Sequence, residues 1–348
     1  MTAPPAADLP AVLGHSELIR HLWELLATDR LHHAWLFEGP AGVGRRLVAT
    51  RLAMAACCTA AGPRPCGTCA PCRSVASGAH PDVILVEPDP ESASRTIPVA
   101  RIREVVRQAG MHRYAAARRF VIIDPAEALN EAASNALLKT LEEPNEHTHF
   151  VLITRHASGL LPTIVSRCQR LRFSPVPEPM IVDWLTAAGH EAAAEAARLA
   201  EGCPGAAAAW TAEAIAARRA LRDRLLAAIG GDLEGLFGFT EALAEKGRAA
   251  SADGVEATLA LLEDLLRDAI ARAASPDRAL RHEDLAPMID AWATALWPGG
   301  FVACEAALRD CRLDLAANVT QRTALDALLT RVATELGAAR RVSVPPPA

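Results

Sequence analysis

Gly39-Pro40-Ala41-Gly42-Val43-Gly44-Arg45-Arg46 lies between a short apolar run at 34–37 and a helix-favouring run at 47–56. Strand, glycine loop and helix in that order form a phosphate-binding loop. In such a loop backbone N–H groups and a helix N-terminus cradle phosphates, a Lys reaches the β- and γ-phosphates, and a Ser or Thr hydroxyl holds Mg²⁺. The spacing from Gly39 to Gly44 fits G-x-x-x-x-G, but the two residues that follow do not fit. Arg45 keeps the charge of the expected Lys on a planar fork in place of a compact ammonium. Arg46 sets a cation where a metal ligand belongs. The expectation is a retained scaffold with its nucleotide chemistry removed and ATP binding doubtful.

At 348 residues the chain exceeds one ordinary core and implies two or three domains. Apolar residues make up 51% and aromatics only 4%, with Ala abundant, which favours a largely helical protein. A net charge of −5 argues against a protein that grips nucleic acid alone through bulk charge, and leaves room for a local basic face. No apolar run reaches the roughly 18–20 residues that a bilayer span needs. Residues 1–10 read as a loose Pro/Ala-rich arm without the basic region and apolar core of a signal peptide. The expected setting is therefore cytoplasmic, with no membrane partner.

Short apolar strands are expected at 34–37, 83–86, 120–123, 150–153 and 169–173, with helices at 97–110, 127–143 and 160–167 between them. That alternation means βαβ units and a mainly parallel sheet. The Pro-rich segment 174–179 marks a boundary. Beyond it lie only Ala/Leu-rich helices, broken near 202–205, 230–231, 275–276 and 298–300. The reading is an α/β nucleotide-binding-type module at 1–173 (a parallel sheet with flanking helices), a small helical lid at 174–217, an all-α C-terminal domain at 218–340, and a disordered tail at 341–348.

Nine cysteines in a chain of cytosolic character point to a metal site more than to disulfides. Within the insert 57–72, Cys66-x-x-Cys69-x-x-Cys72 forms a triplet with Cys57 upstream, and Cys58 beside it competes for the same role. Four thiolates close a tetrahedral Zn²⁺ site and leave no open position, which makes the site structural. His80 is a weaker fourth ligand, and free thiols are the bland alternative.

The apolar run 120–123 ends at Asp124, as does the strand whose terminal Asp holds Mg²⁺ through water in nucleotide hydrolases. The next residue is Pro125, where a hydrolase carries the Glu that activates water. Glu127 comes too late along the chain to take that place, and without a base there is no fast hydrolysis. The plainer role for Asp124 is to cap the next turn.

Two further stretches, Asn135-Ala-Leu-Leu-Lys139-Thr-Leu-Glu-Glu-Pro144 and Leu161-Pro-Thr-Ile-Val-Ser166-Arg167-Cys168, are the most specific in the chain. With the glycine loop and the cysteine spacing they make residues 13–173 resemble the clamp-loader branch of the AAA+ proteins, in particular the subunits of the bacterial DNA polymerase III clamp loader. The resemblance implies an AAA+ module followed by a lid and a helical collar, the last including 313–332. It implies that Arg167, framed by Ser166 and Cys168, is an arginine finger offered in trans to the ATP site of a neighbouring subunit. Thr154 falls at the family's sensor position, and Ala206 stands where the family's motor subunits carry a second sensor arginine. Together with Arg45–Arg46 and Pro125, this is similar to a subunit that has lost hydrolysis while keeping the fold, the zinc and the finger. The implied partners are the gamma/tau motor and delta subunits in a heteropentamer, with the sliding clamp and primed DNA engaged through the complex. Competing readings are an ATP-hydrolysing motor that uses Arg45 in place of Lys, and a stand-alone zinc-dependent nucleic-acid-binding protein. Arg101, Arg103 and Arg107, with Arg113, Arg118 and Arg119 nearby, either line a DNA channel or are simply solvated.

Overall fold

A computed structural model describes residues 12–89, 95–111, 114, 116–244, 248–278 and 280–342. The chain divides into two compact units, Met1–Thr211 and Ala212–Ala348.

The first unit is built on five parallel strands: β1 (Ala34–Glu38), β2 (Val83–Val86), β3 (Arg119–Ile123), β4 (Thr148–Thr154) and β5 (Gln169–Arg172), in the order β2-β3-β4-β1-β5. The central strands are buried on both faces, so they read as unbroken apolar runs. Their alternate side chains nevertheless feed two separate cores. Trp35, Phe37, Phe120, Ile122, Val151 and Ile153 pack with α1 (Ser16–Ala27) and α2 (Arg45–Cys57). Leu36, Val121, Ile123, Phe150 and Leu152 pack with α4 (Val99–Ala109), α5 (Glu131–Glu142) and α6 (Pro162–Val165). Period-two geometry sends successive residues to opposite faces, and the helices cover both.

Local chemistry corrects several expected elements. The helix expected at 127–143 is a single 3₁₀ turn at Ala126–Ala128 followed by α5, because the Asn130 side chain accepts the Ala133 N–H at 2.8 Å and caps a new helix there. The cysteine insert contains a short helix, α3 (Ala70–Ala76), with a Pro in its first turn. The helix expected at 160–167 shrinks to α6. Helices α7 (Glu178–Ala187), α8 (Ala193–Leu199) and α9 (Pro204–Ala207) complete this unit.

Arg119 corrects the expected arginine row. It is 1% exposed and pairs with the fully buried Asp82 at 2.8 Å, so it sits in the interior and lines no channel. Asp82 also accepts the Tyr114 and Ala116 N–H groups, which satisfies a charge that would otherwise be costly to bury. Arg118 pairs with Asp29, whereas Arg101, Arg103 and Arg107 are exposed on α4, Arg107 bonding Glu104 at 2.7 Å. Arg113 and the arm at 1–10 lie outside the described residues.

Among its described residues the second unit has six α-helices, α10 (Ala212–Gly230), α11 (Leu233–Ala244), α12 (Arg248–Ala274), α13 (Ala286–Ala295), α14 (Gly299–Ala316) and α15 (Gln321–Val342), with a 3₁₀ turn at Glu283–Leu285. The division falls at 211/212 and not at 217/218, since α10 runs unbroken through the expected boundary. Its core is mainly Leu, with Trp292, Phe301, Cys304 and Cys311. Residues 341 and 342 of the expected tail belong to α15, and 343–348 lie outside the described residues. Among the described residues no helix is long and apolar enough to cross a membrane.

Candidate functional site

The glycine loop leaves β1 and enters α2 at Arg45. At Gly39, φ is 155° and a Cβ would lie 2.4 Å from the Phe173 carbonyl oxygen, so the chain can pass the end of β5 only without a side chain. At Gly42, φ is +80° and a Cβ would meet the Ala206 nitrogen at 2.9 Å. There the lid closes on the loop: the Gly205 N–H donates to the Gly42 carbonyl at 2.8 Å. Ala206, expected where a second sensor arginine would stand, donates its N–H to the Cys203 carbonyl at 2.9 Å and packs at the edge of the core.

The loop borders a cavity of about 510 Å³ lined by Leu13, Gly44, Asp124, Trp184, Pro204 and other residues of this unit. Its charged rim is already neutralised from within. Arg45 is 8% exposed and donates from Nη1 to the Thr154 carbonyl, so the group in the Lys position points into the sheet. Burial lowers its pKa, with Asp124 and Glu127 partly opposing. Arg46 bonds Glu87, its Nη2 lying 3.1 Å from Oε2, and its Nη1 is 3.7 Å from Asp124. Burial pushes the Asp124 carboxyl up, and Arg46 and Arg45 pull it back. A guanidinium thus lies beside the carboxylate that a divalent cation would use. Glu127 accepts the Arg155 N–H at 3.1 Å, away from a water-activating position beside Asp124. The Thr154 hydroxyl is turned to the His156 carbonyl at 3.0 Å.

Sequence reading missed Glu87. The signal was present: consecutive arginines entering a helix need counter-charge, and Glu87 directly follows β2.

Arg167 stands just after α6. Its Nη2 is 2.5 Å from Glu142 Oε1 at the end of α5, its Nη1 donates to the Thr163 carbonyl at 2.8 Å, and a third of the side chain is exposed (33%). Ser166 Oγ donates to the same Thr163 carbonyl at 3.1 Å, and burial pushes the Cys168 thiol up to about 12. The motif therefore holds one cation at the surface between a hydroxyl and an inert thiol.

The cysteines form a second centre and revise one ligand. Cys58, Cys66, Cys69 and Cys72 have sulfurs all within 4.8 Å of one another, and Cys57 is not among them. Cys57 is the last residue of α2 and stays in the core, where burial pushes its thiol up to about 12. Cys58 is the first extended residue after the helix, with φ −65° and ψ 127°, and that change of direction carries its side chain to the insert. The Cys58–Cys69 and Cys66–Cys72 sulfur pairs are 3.9 and 4.0 Å apart. Tetrahedral thiolates around an ion at about 2.3 Å would be roughly 3.8 Å apart, so the four can hold a metal ion. The Cys69 N–H donates to the Cys66 sulfur at 3.3 Å, and Trp23 Nε1 donates to the Arg64 carbonyl at 2.8 Å, tying the insert to α1.

Residues 14–177 match the family described as "DNA polymerase III, delta subunit". The chain is 39% identical over 168 residues to the DNA polymerase III subunit delta' of Bacillus subtilis, covering 48% of this chain and 50% of that protein. It is 41% identical over 180 residues to the subunit delta' of Pseudomonas aeruginosa, covering 50% and 53%. It is also 37% identical over 172 residues to the subunit tau of Bacillus subtilis, covering 49% and 30%. The chain spans about half the length of the curated delta' relatives it matches. Over residues 14–177 the chain is similar to the delta' and tau subunits of DNA polymerase III.

Proposed function

We propose that the chain is a non-hydrolysing subunit of a cytoplasmic DNA polymerase III clamp loader. It would complete a heteropentamer with gamma/tau motor and delta subunits, offer Arg167 to the adjacent motor's ATP, and help to load the sliding clamp on primed DNA. The observation that carries this reading is the internal pairing of the glycine loop: Arg45 bonds the Thr154 carbonyl, and Arg46 lies between Glu87 and Asp124. With Pro125 beside Asp124, no side chain stands ready to activate water there. The rival reading, a motor that uses Arg45 for Lys, requires that guanidinium to leave its bond inside the sheet.

An arginine finger in trans stabilises charge on the γ-phosphoryl group and is worth roughly 10³–10⁵ in rate. The isolated chain should show no steady ATP turnover. Arg167→Ala should leave assembly intact and lower the DNA-stimulated ATPase of the reconstituted complex by about 10³-fold. Turnover by the isolated chain, or an unchanged complex, would refute the proposal.

We further propose that Cys58, Cys66, Cys69 and Cys72 hold a structural Zn²⁺. A four-thiolate set has no open position for catalysis, and the ion would brace the insert against α1 and α2. Metal analysis should find about one Zn²⁺ per chain, retained by Cys57→Ser and lost from Cys58→Ser. Equal retention in both variants would break the ligand assignment.

A further inference from the structure

We infer that Glu142 is the positioning residue for Arg167: it holds the guanidinium plane in the orientation that reaches a neighbour's nucleotide. The inference rests on the finger reading and extends it to a residue outside the Ser166-Arg167-Cys168 stretch.

Arg167 is held by contacts from α5 and α6. Its Nη2 meets Glu142 Oε1 at 2.5 Å and its Nη1 meets the Thr163 carbonyl at 2.8 Å, with Ser166 Oγ a further 3.4 Å contact to Nη1. A guanidinium carries five N–H donors in a rigid plane. Two inward bonds therefore fix that plane and leave donors for an incoming phosphate. The anchors cannot drift, because the residues beside them are core residues: Leu141 is 2% and Ile164 0% exposed, in the same cluster.

Glu142 is poorly explained as a stabiliser of its own helix. It closes α5, and Glu143 follows it, so two acids sit at the C-terminal end, where the helix dipole opposes negative charge. Its side chain is 48% exposed and it makes its close ion pair with the finger. The sequence places an acid where the helix disfavours one and the arginine can use it.

Misplacing a reacting or stabilising group by about an ångström can cost on the order of a hundredfold in rate. Freeing Arg167 to explore other rotamers should cost part of that. The test is steady-state ATPase of the complex reconstituted with its motor subunits, comparing wild type, Arg167→Ala, Glu142→Ala and Glu142→Gln. Assembly and thermal midpoint of each variant are measured alongside. Glu142→Ala should lower kcat about tenfold, leave KM for ATP within about twofold, and assemble normally. Glu142→Gln, which keeps an oxygen acceptor at the same reach, should recover most of the rate. A slow Arg167→Ala beside a Glu142→Ala at wild-type rate or faster would overturn the inference alone. So would a Glu142→Ala defect that follows lost assembly, or a Glu142→Gln as slow as the alanine variant. If Arg167→Ala itself is silent, the finger reading falls, and this inference falls with it.

Discussion

In the glycine-loop pocket Arg46 lies 3.1 Å from Glu87 and 3.7 Å from Asp124, and Arg45 is buried against the Thr154 carbonyl. At the α5–α6 corner Arg167 lies 2.5 Å from Glu142 with a third of its side chain in solvent (33%). Both regions set arginine against carboxylate, but they direct the charge differently. In the pocket Arg45 is buried against the Thr154 carbonyl, while Arg46, part-exposed, meets Glu87 and Asp124. At the corner one carboxylate and one carbonyl hold the fork, with part of the side chain in solvent. Among these three arginines burial sets Arg45 apart, since Arg46 and Arg167 are both part-exposed and paired with part-exposed carboxylates.

Arg119 is the extreme of inward use, and it provides the largest test. Asp82→Asn leaves a guanidinium in the interior without its counter-charge, and should cost about 3–5 kcal/mol in urea unfolding at neutral pH. A loss below about 1 kcal/mol, as for an exposed pair, would show that interior and surface arginines do not differ as drawn.

A buried histidine tests the same interior through pH. His149 is 5% exposed, stacks on Phe120 and donates from Nδ1 to the His32 carbonyl, and burial lowers its pKa to about 4. Unfolding restores a value near 6.5, so the unfolded chain binds the extra proton between those two values. Stability from this group is complete above about pH 6.5 and falls as the pH drops toward 4, by about 3 kcal/mol in all. His149→Gln should flatten that slope in unfolding midpoints taken across this range. An unchanged slope would assign the acid sensitivity to other groups.

The smallest effect belongs to Arg46. Its side chain is 47% exposed and its partner Glu87 44%, so Arg46→Gln should cost about 1 kcal/mol or less. The cost should shrink in acid, because burial raises the Asp124 pKa and the protonated carboxyl no longer needs a cation. The variant should still fail to hydrolyse ATP. A cost that grows as the pH falls would remove Asp124 from the pairing.

Much of the first unit was legible in the chain. Runs such as Phe120-Val-Ile-Ile123 are too short and too apolar for anything but buried strands between covering helices, and all five strands lie within a residue or two of where they were expected. Less legible were features that depend on direction. Cys57 and Cys58 are adjacent and chemically equal, and only the end of α2 decides which of them turns to the insert. Arg118 and Arg119 read as one basic pair, yet the pleat of β3 sends Arg119 to Asp82, 37 residues upstream. Glu142 stands among acids at a helix end, and the arginine it meets, Arg167, lies just after a different helix.

The sequence by itself determined the alternation of strand and helix, the glycine loop with its two arginines, the cysteine spacing and the Ser166-Arg167-Cys168 stretch. These are matters of periodicity and residue type, which are local. Tertiary structure alone decided which sulfurs converge, which arginines are buried and which carboxylate each exposed arginine meets. Those outcomes depend on where side chains far apart in the chain meet after packing. An ion pair gains from its partner only when distance and burial are both set, and neither quantity is written in a linear string.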